Sequence, residues 1–544
     1  MYKSLLILLL GLFFVPKSGY SQNSVSGIIT TNEDQSPLEQ VAVYFPQLGK
    51  GTVTDQSGAY TIDNIPLGSY KIVITYLGFQ TYSQTVSINK GTNVLDVGLK
   101  PSAIEMEEVI VSTPFHKLQS ENVVKVEYAN VAQLRKKGAI TLADGITNIA
   151  GVESVSTGIG IGKPVIRGLS SNRVLVYSQG VRLENQQFGD EHGLGVNDAG
   201  IESVEVIKGP ASLLYGSDAM GGVLYLNPEK FAPDNATEGD VNLNYFSNTE
   251  GFSTNAGFKT SGDKLKFLVR GATASHVDYK TGNGDRVTNS RFKENDLKTG
   301  IAFQGTSFNT EVRYNYNATD IGIPEEIGEQ TKERDPELPF QKIANQILSS
   351  KSNLFFERSS LEMTFGYIFN DRREFEDDTS IAALDMNLST FNYNLQYNLP
   401  KIGKVETIFG VQGMHQTNSN FGEEILIPDA ITNDIGTLAT SHIHFNDRND
   451  LQLGLRYDHR SINSEAASDP AEEDYIAQLN RDFSSFNAAL GYKLNFTETI
   501  LGRVNVASGF RAPNLAELTS NGVHEGTNRY EIGNPDLKNE QNIQ

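Results

Sequence analysis

From about residue 239 onward the chain alternates apolar and polar residues with a period of two. Leu451, Leu453, Leu455 and Tyr457 are interleaved with Gln452, Gly454, Arg456 and Asp458. Phe486, Ala488, Leu490, Tyr492, Leu494 and Phe496 alternate with Asn487, Ala489, Gly491, Lys493 and Asn495. Val312, Tyr314 and Tyr316 alternate with Arg313, Asn315 and Asn317. A period of two puts successive side chains on opposite faces of a strand. Segments of about ten residues with one apolar face, and Tyr or Phe near their ends, are the pattern of transmembrane β-barrel strands. A soluble antiparallel sheet shares the alternation, but two observations favour the barrel. No helices interrupt the series. The connections also alternate between short (Gly262-Asp263, Thr306-Ser307, Arg448-Asn449) and long (279–291, 318–345, 416–430, 461–480, 512–539), as periplasmic turns and outer loops do. The pattern predicts about thirteen strands, with a fourteenth starting near Gln541.

The N-terminus reads as a secretory signal: Lys3, an apolar run from Leu5 to Val15, then Gly19 and Ser21, with cleavage expected after Ser21. A membrane anchor is the alternative, but the run is shorter than the roughly 20 residues a spanning helix needs. Beyond residue 22 no apolar stretch is long enough to span a bilayer as a helix, so membrane residence requires a closed barrel. The chain has no cysteine, which removes disulfides and thiolate metal sites. A net charge of -21 argues against nucleic acid as a partner. It suits loops that meet cations, or plain solubility.

Residues 22–100 read as all-β. VSGIITT, VAVYFPQ, GTVTD, GAYTID, YKIVITYLGF, QTVSI and VLDVGL are short strand-like runs divided by turn residues at 55–58 and 66–68. About seven strands in this length suit a sandwich. The run GTVTDQSGAYTIDNIPLGSYKIVITYLGF resembles the carboxypeptidase regulatory-like domain, a transthyretin-like sandwich. No His-x-x-Glu metal pair stands nearby and no nucleophile–base set has suitable spacing. No enzyme and no cofactor are expected, and the unit reads as a structural or docking module.

Residues 118–228 are glycine-rich and mixed. A short helix is expected over Leu142–Asn148, two strands within 164–184, and strand, turn, short helix, glycine turn and strand within 201–228. Gly158, Gly160 and Gly162 invite a phosphate-loop reading, but no lysine and hydroxyl follow in a strand-to-helix context. Ile166-Arg167-Gly168-Leu169, the run from Val206 through Lys208, Gly209, Pro210 and Tyr215 to Gly216, and Gly221-Gly222-Val223 resemble the plug domain of TonB-dependent outer-membrane receptors. Gly209 and Gly216 suit tight turns, and Pro210 suits a first helical turn.

Just before this domain, Glu107-Glu108-Val109-Ile110-Val111-Ser112 resembles a TonB box. A chance linker is the alternative. As a box, it is expected to be an unpaired handle that adds as a strand to the sheet edge of an energised partner. The resemblance implies a mainly β fold with a sandwich at 22–100, a linker at 101–117, a small α+β plug at 118–228 and an antiparallel transmembrane β-barrel at 229–544. It also implies an outer-membrane location with the N-terminal unit in the periplasm, lipid around the barrel, and the TonB–ExbB–ExbD complex as partner. The barrels of such plugged transporters have about 22 strands. The chain therefore reads as C-terminally truncated, with about 13–14 of them.

The implied function is energy-coupled import, and the cargo is read from sparser residues. Asp190, Glu191 and His192 offer carboxylate and imidazole ligands for zinc or copper. With His524 and Glu525 in a late loop, they resemble the zinc-receptor branch of the family. The segment from Ile321 to Phe340 departs from that branch, being acidic and free of histidine. Import of a metal chelate, a siderophore, haem or another organic ligand stays open, as do a passive pore and an adhesin. His442 and His444 share one strand face and are either ligands or structural.

Overall fold

The computed structural model describes residues 23–102, 109–115, 117–184, 192–209, 212–324, 326–446, 448–497, 500–524 and 529–544. The expected signal peptide, Glu107, Glu108, Asp190, Glu191, Pro210 and Glu525 lie outside them, as does the side chain of His524. The chain forms two compact units that part near residue 104.

In the first unit two four-stranded sheets bury Val25, Ile29, Val43, Phe45, Ile72 and Ile74. One sheet holds Ser24–Thr31, Ala59–Ile62, Thr92–Val94 and Val97–Leu99. The other holds Ala42–Phe45, Lys50–Val53, Gly68–Thr75 and Tyr82–Ile88. The run VLDVGL, expected as one strand, is split in two. At the break the exposed Asp96 carboxylate accepts the Ile28 N–H at 2.8 Å.

The second unit contains the plug and the barrel. The plug sheet has five strands in the order Val181–Leu183, Val174–Ser178, Gly222–Pro228, Ile201–Lys208, Val126–Asn130. The edge strand Val126–Asn130 and the helix Val131–Lys136 that follows it were not expected from sequence. Asn130 caps that helix by accepting the Ala132 N–H at 2.9 Å. The expected second helix is present but shorter, Leu142–Ile146, and is capped by Thr141. The glycine triplet lies in a hairpin, Val152–Gly158 with Ile161–Ile166. Its glycines serve close packing, since a Cβ on Gly160 would stand 3.0 Å from the Phe292 ring.

Fourteen strands follow in one antiparallel sheet, each paired with the next in sequence, from Thr237–Phe246 to Glu540–Ile543. The central strands run to 17 residues, longer than the ten or so expected. The reason is visible at Val405–Asn420. Its last six residues are polar on both faces, yet they stay in register with Met386–Phe391, and the first four of them with Ala430–Asn433. The apolar signal ends with the lipid belt, while the hydrogen-bond ladder continues past it. Three of the long connections shrink accordingly, to 323–339, 421–429 and 465–478, while the first runs over 277–291, the last over 512–539 as expected, and a further one lies at 376–383.

The two faces of the sheet decide its setting. Leu455 and Tyr457 are 53% and 48% exposed, while Arg456 and Asp458 between them are 3% and 8% exposed. Apolar side chains face out and charges face in, the reverse of a water-soluble fold. Such a wall is stable with lipid outside and a polar plug inside.

Candidate functional site

The segment that carries the handle is folded against the plug. Val109 bridges to Leu118, and the Ile110 N–H donates to the Lys117 carbonyl at 2.9 Å. The Ile110 side chain is fully buried among Val126, Tyr177, Ile207, Tyr215 and Val223. The next two backbone amides converge on one carboxylate. Val111 N–H donates to Glu205 at 3.0 Å and Ser112 N–H at 2.8 Å. Glu205 is itself buried in the strand Ile201–Lys208 and accepts a further bond from Asn227 Nδ2 at 2.8 Å. Bonds to an ionised carboxylate are roughly twice as strong as neutral ones. Tyr215 Oη donates to the Ser112 carbonyl, and burial keeps that hydroxyl protonated well above its usual range. The expectation of an unpaired handle is therefore corrected for its C-terminal half. A buried Ile and a shared carboxylate hold it on the plug, while the Val111 side chain faces outward.

Beyond the handle the chain is stapled to the barrel wall. Arg503 donates to the carbonyls of Asn122, Gln119 and Ser120 at 2.8, 2.9 and 3.1 Å, and Asn505 donates to the Val123 carbonyl at 3.1 Å. These wall residues lie beside the tight turns, so the handle emerges at the mouth of the barrel opposite the long connections.

Higher in the seam, Asp218 of the plug pairs with Arg182 of the plug and with Arg460 of the wall, the latter at 3.1 Å. Arg460 also grips Asp434 through two bonds of 2.6 Å. Burial pushes the Asp218 carboxyl up, but Arg460 and Arg182 outweigh it and hold it below the usual range. A second clasp joins Arg173 of the plug to Glu540 at 2.6 Å. Two adjoining cavities run along this seam and share Tyr177, Gly180, Tyr215, Thr364 and Asn394. The lower one is bounded by Val111–Pro114.

The plug motif residues are brought together around the short helix Ser212–Tyr215. Lys208 stands in register with Gly222, and the Gly209 N–H donates to the Gly221 carbonyl at 3.1 Å. Gly209 and Gly216 both have positive φ, as tight turns at these positions require. Arg167, with φ of 53°, and Gly168 form the turn that links Ile166 to Leu169.

Of the cargo candidates, His192 is 1% exposed, with Nδ1 3.4 Å from Gln341 Oε1 and 3.5 Å from Glu374 Oε1. It is buried between plug and wall. His524 ends the strand Asn521–His524, in register with Arg529. Sequence reasoning missed Glu205, Asp218 and Asp450. The available signal for Glu205 was an acid set among Val204, Val206 and Ile207 in the strand Ile201–Lys208.

The chain matches the CarboxypepD_reg-like domain over residues 25–111, the TonB-dependent Receptor Plug Domain over 119–223 and the TonB dependent receptor-like beta-barrel over 220–544. It belongs to the TonB-dependent receptor family, and its place is the outer membrane. It is 28% identical over 237 residues to TonB-dependent receptor P39 of Formosa agariphila, covering 42% of this chain and 22% of that protein. It is 28% identical over 221 residues to the vitamin B12 transporter BtuB of Vibrio vulnificus, covering 38% of this chain and 35% of that one. The chain thus spans well under two thirds of these curated relatives. Among solved structures, the copper transporter OprC superposes with a TM-score of 0.64 at 16% identity, over 77% of this chain and 69% of that one. The Serratia marcescens hemophore receptor HasR superposes with a TM-score of 0.66 at 14% identity, over 78% and 69%. These two likenesses concern the fold.

Proposed function

We propose that this chain forms the periplasmic module, plug and much of the barrel of an active importer, with a zinc or copper ion or a metal chelate as cargo. The observation that carries the reading is the docked handle. Val111 and Ser112 hang on Glu205, one sheet position from strands whose neighbours reach the wall through Asp218 and Arg173. Cargo that enters from the side of the long connections shifts the plug and disturbs the seam. The seam shares its sheet with Glu205, so the handle is released at the opposite mouth. The freed segment adds as a strand to TonB, energised by ExbB–ExbD, and main-chain hydrogen bonds carry the pull whatever the side chains. No covalent bond is made or broken. The N-terminal sandwich lies in the periplasm in this reading. A passive pore or an adhesin needs no sequestered handle.

Import of an organic ligand, such as a siderophore or haem, is the second reading. It is favoured by the placement of His192, whose imidazole is buried beside Gln341 and Glu374 as a hydrogen-bonding group. Removal of residues 107–112 tests transport: uptake should cease while cargo binding persists. Retained uptake would exclude the coupled mechanism. Calorimetry with zinc and copper, on the receptor and on a His192→Ala, His524→Ala double variant, tests the cargo. Saturable binding that the double variant loses supports the free ion, and the absence of any binding that depends on these two residues points to the organic ligand.

A further inference from the structure

We propose a divalent-cation site of the zinc class at the handle-side mouth of the barrel, formed by His442, His444 and Asp450. The first two residues lie at the end of the strand Ala430–Asn446, and the third opens the next strand, Asn449–Ser464. The turn between them is tight, so the three side chains come together on the inner face of the wall. One ligand atom from each lies within 4.8 Å of the others. His442 Nε2 is 3.0 Å and His444 Nδ1 2.7 Å from the same oxygen of Asp450, Oδ1. Two imidazole nitrogens aimed at one carboxylate oxygen form a donor set that suits zinc or another borderline divalent ion, and small side-chain movements would admit it.

The surroundings favour binding over mere packing. Lys493 Nζ holds the other oxygen, Oδ2, at 2.9 Å. It leaves Oδ1 to the two imidazoles and fixes the carboxylate, as outer partners of metal ligands do. The His442 side chain is 2% exposed and that of Asp450 6%, whereas that of His444 is 48% exposed and leaves room for water or cargo in a fourth position. Glu406 faces His442 directly across the neighbouring strand and is engaged by Lys401 at 2.9 Å. Phe115, three residues past the handle, packs its ring on His442 with centroids 5.5 Å apart. The site is thus separate from the long connections and from His192, and it borders the chain that moves when the handle is pulled. It stands whichever cargo the receptor carries.

The test uses the purified full-length receptor in detergent, with cobalt as a spectroscopic probe and zinc as competitor. The expected result is one tetrahedral cobalt site that zinc displaces. Its affinity should fall at least about tenfold in His444→Ala and in Asp450→Asn, and stay unchanged in His192→Ala. His444 is half exposed, so its variant should fold, and heat-modifiable migration on a gel verifies an intact barrel in each case. Absence of cobalt binding, affinity in both His444→Ala and Asp450→Asn unchanged from the parent, or loss in His192→Ala alone would overturn the proposal.

Discussion

Arg460 reaches from the barrel wall to Asp218 of the plug at 3.1 Å, and the same guanidinium holds Asp434 of its own wall. One barrel arginine is therefore shared between a fixed carboxylate and a movable one. The plug can let go without leaving that cation unpaired, which lowers the barrier to its displacement.

Asp218→Asn should loosen the plug. The substitution leaves Arg182 and Arg460 facing a neutral amide in a buried setting while Glu184 and Asp434 keep them paired, with a cost of about 1–3 kcal/mol. The expected readout is a lower melting transition of the plug and faster proteolysis within it, with the barrel transition unmoved. An unchanged plug would show that Asp434 alone satisfies the arginine.

The same pair predicts an acid limb. The native pKa of Asp218 is lowered, so its contribution is complete above the unfolded value of about 3.9 and is lost as pH falls through the lower native value. Plug stability measured against pH should decline in that acidic window, and Asp218→Asn should flatten this part of the curve. Parallel curves for the two proteins would contradict the assignment.

Glu205→Gln should free the handle. An amide presents one acceptor oxygen to amides that now share a carboxylate, at a cost of about 1–3 kcal/mol. With a cysteine reporter at Val111, labelling from the periplasmic side should rise roughly tenfold or more without cargo. Tyr215→Phe removes only the bond to the Ser112 carbonyl and should give a smaller rise. If neither variant changes labelling, Ile110 burial alone holds the segment.

Substitutions within the handle separate backbone from side chain. Ile110→Val keeps the backbone donor and most of the buried apolar area, so transport should persist. Proline at Val111 removes the N–H given to Glu205 and one needed for strand addition, so transport should fall to the level of the deletion. Equal tolerance of both would refute strand pairing.

The barrel was legible in sequence because lipid imposes a strict rule on alternate residues. Leu451 to Asp458 shows it without any knowledge of partners, and the fourteenth strand was placed within a residue of where it begins. Strand ends were not legible. At 415–420 both faces meet water or protein, so polarity no longer reports which residues pair. The docked state of the handle was hidden for a different reason. Its partner Glu205 is 94 positions distant from Val111, and an acid flanked by Val204 and Val206 does not reveal what it accepts. The cluster at His442 was half visible: the histidines share a face by period two, but Asp450 joins them only through the turn.

The folded path from Val109 to the Arg503 staple at Gln119 gives the receptor slack. Straightened, those residues would reach roughly 35 Å, most of it stored in the turn that returns Leu118 to Val109. In the proposed mechanism a pull must first free Ile110 and the amides held by Glu205, and only then straightens this stretch under little load. Tension rises when it meets Arg503, and beyond that staple the next element to feel it is Val126–Asn130, the outermost of the five plug strands. An edge strand can part from a sheet while the other four keep their pairing. On this reading the segment works like a tether with a ripcord: a latch, a length of slack, a catch, then one strand at a time.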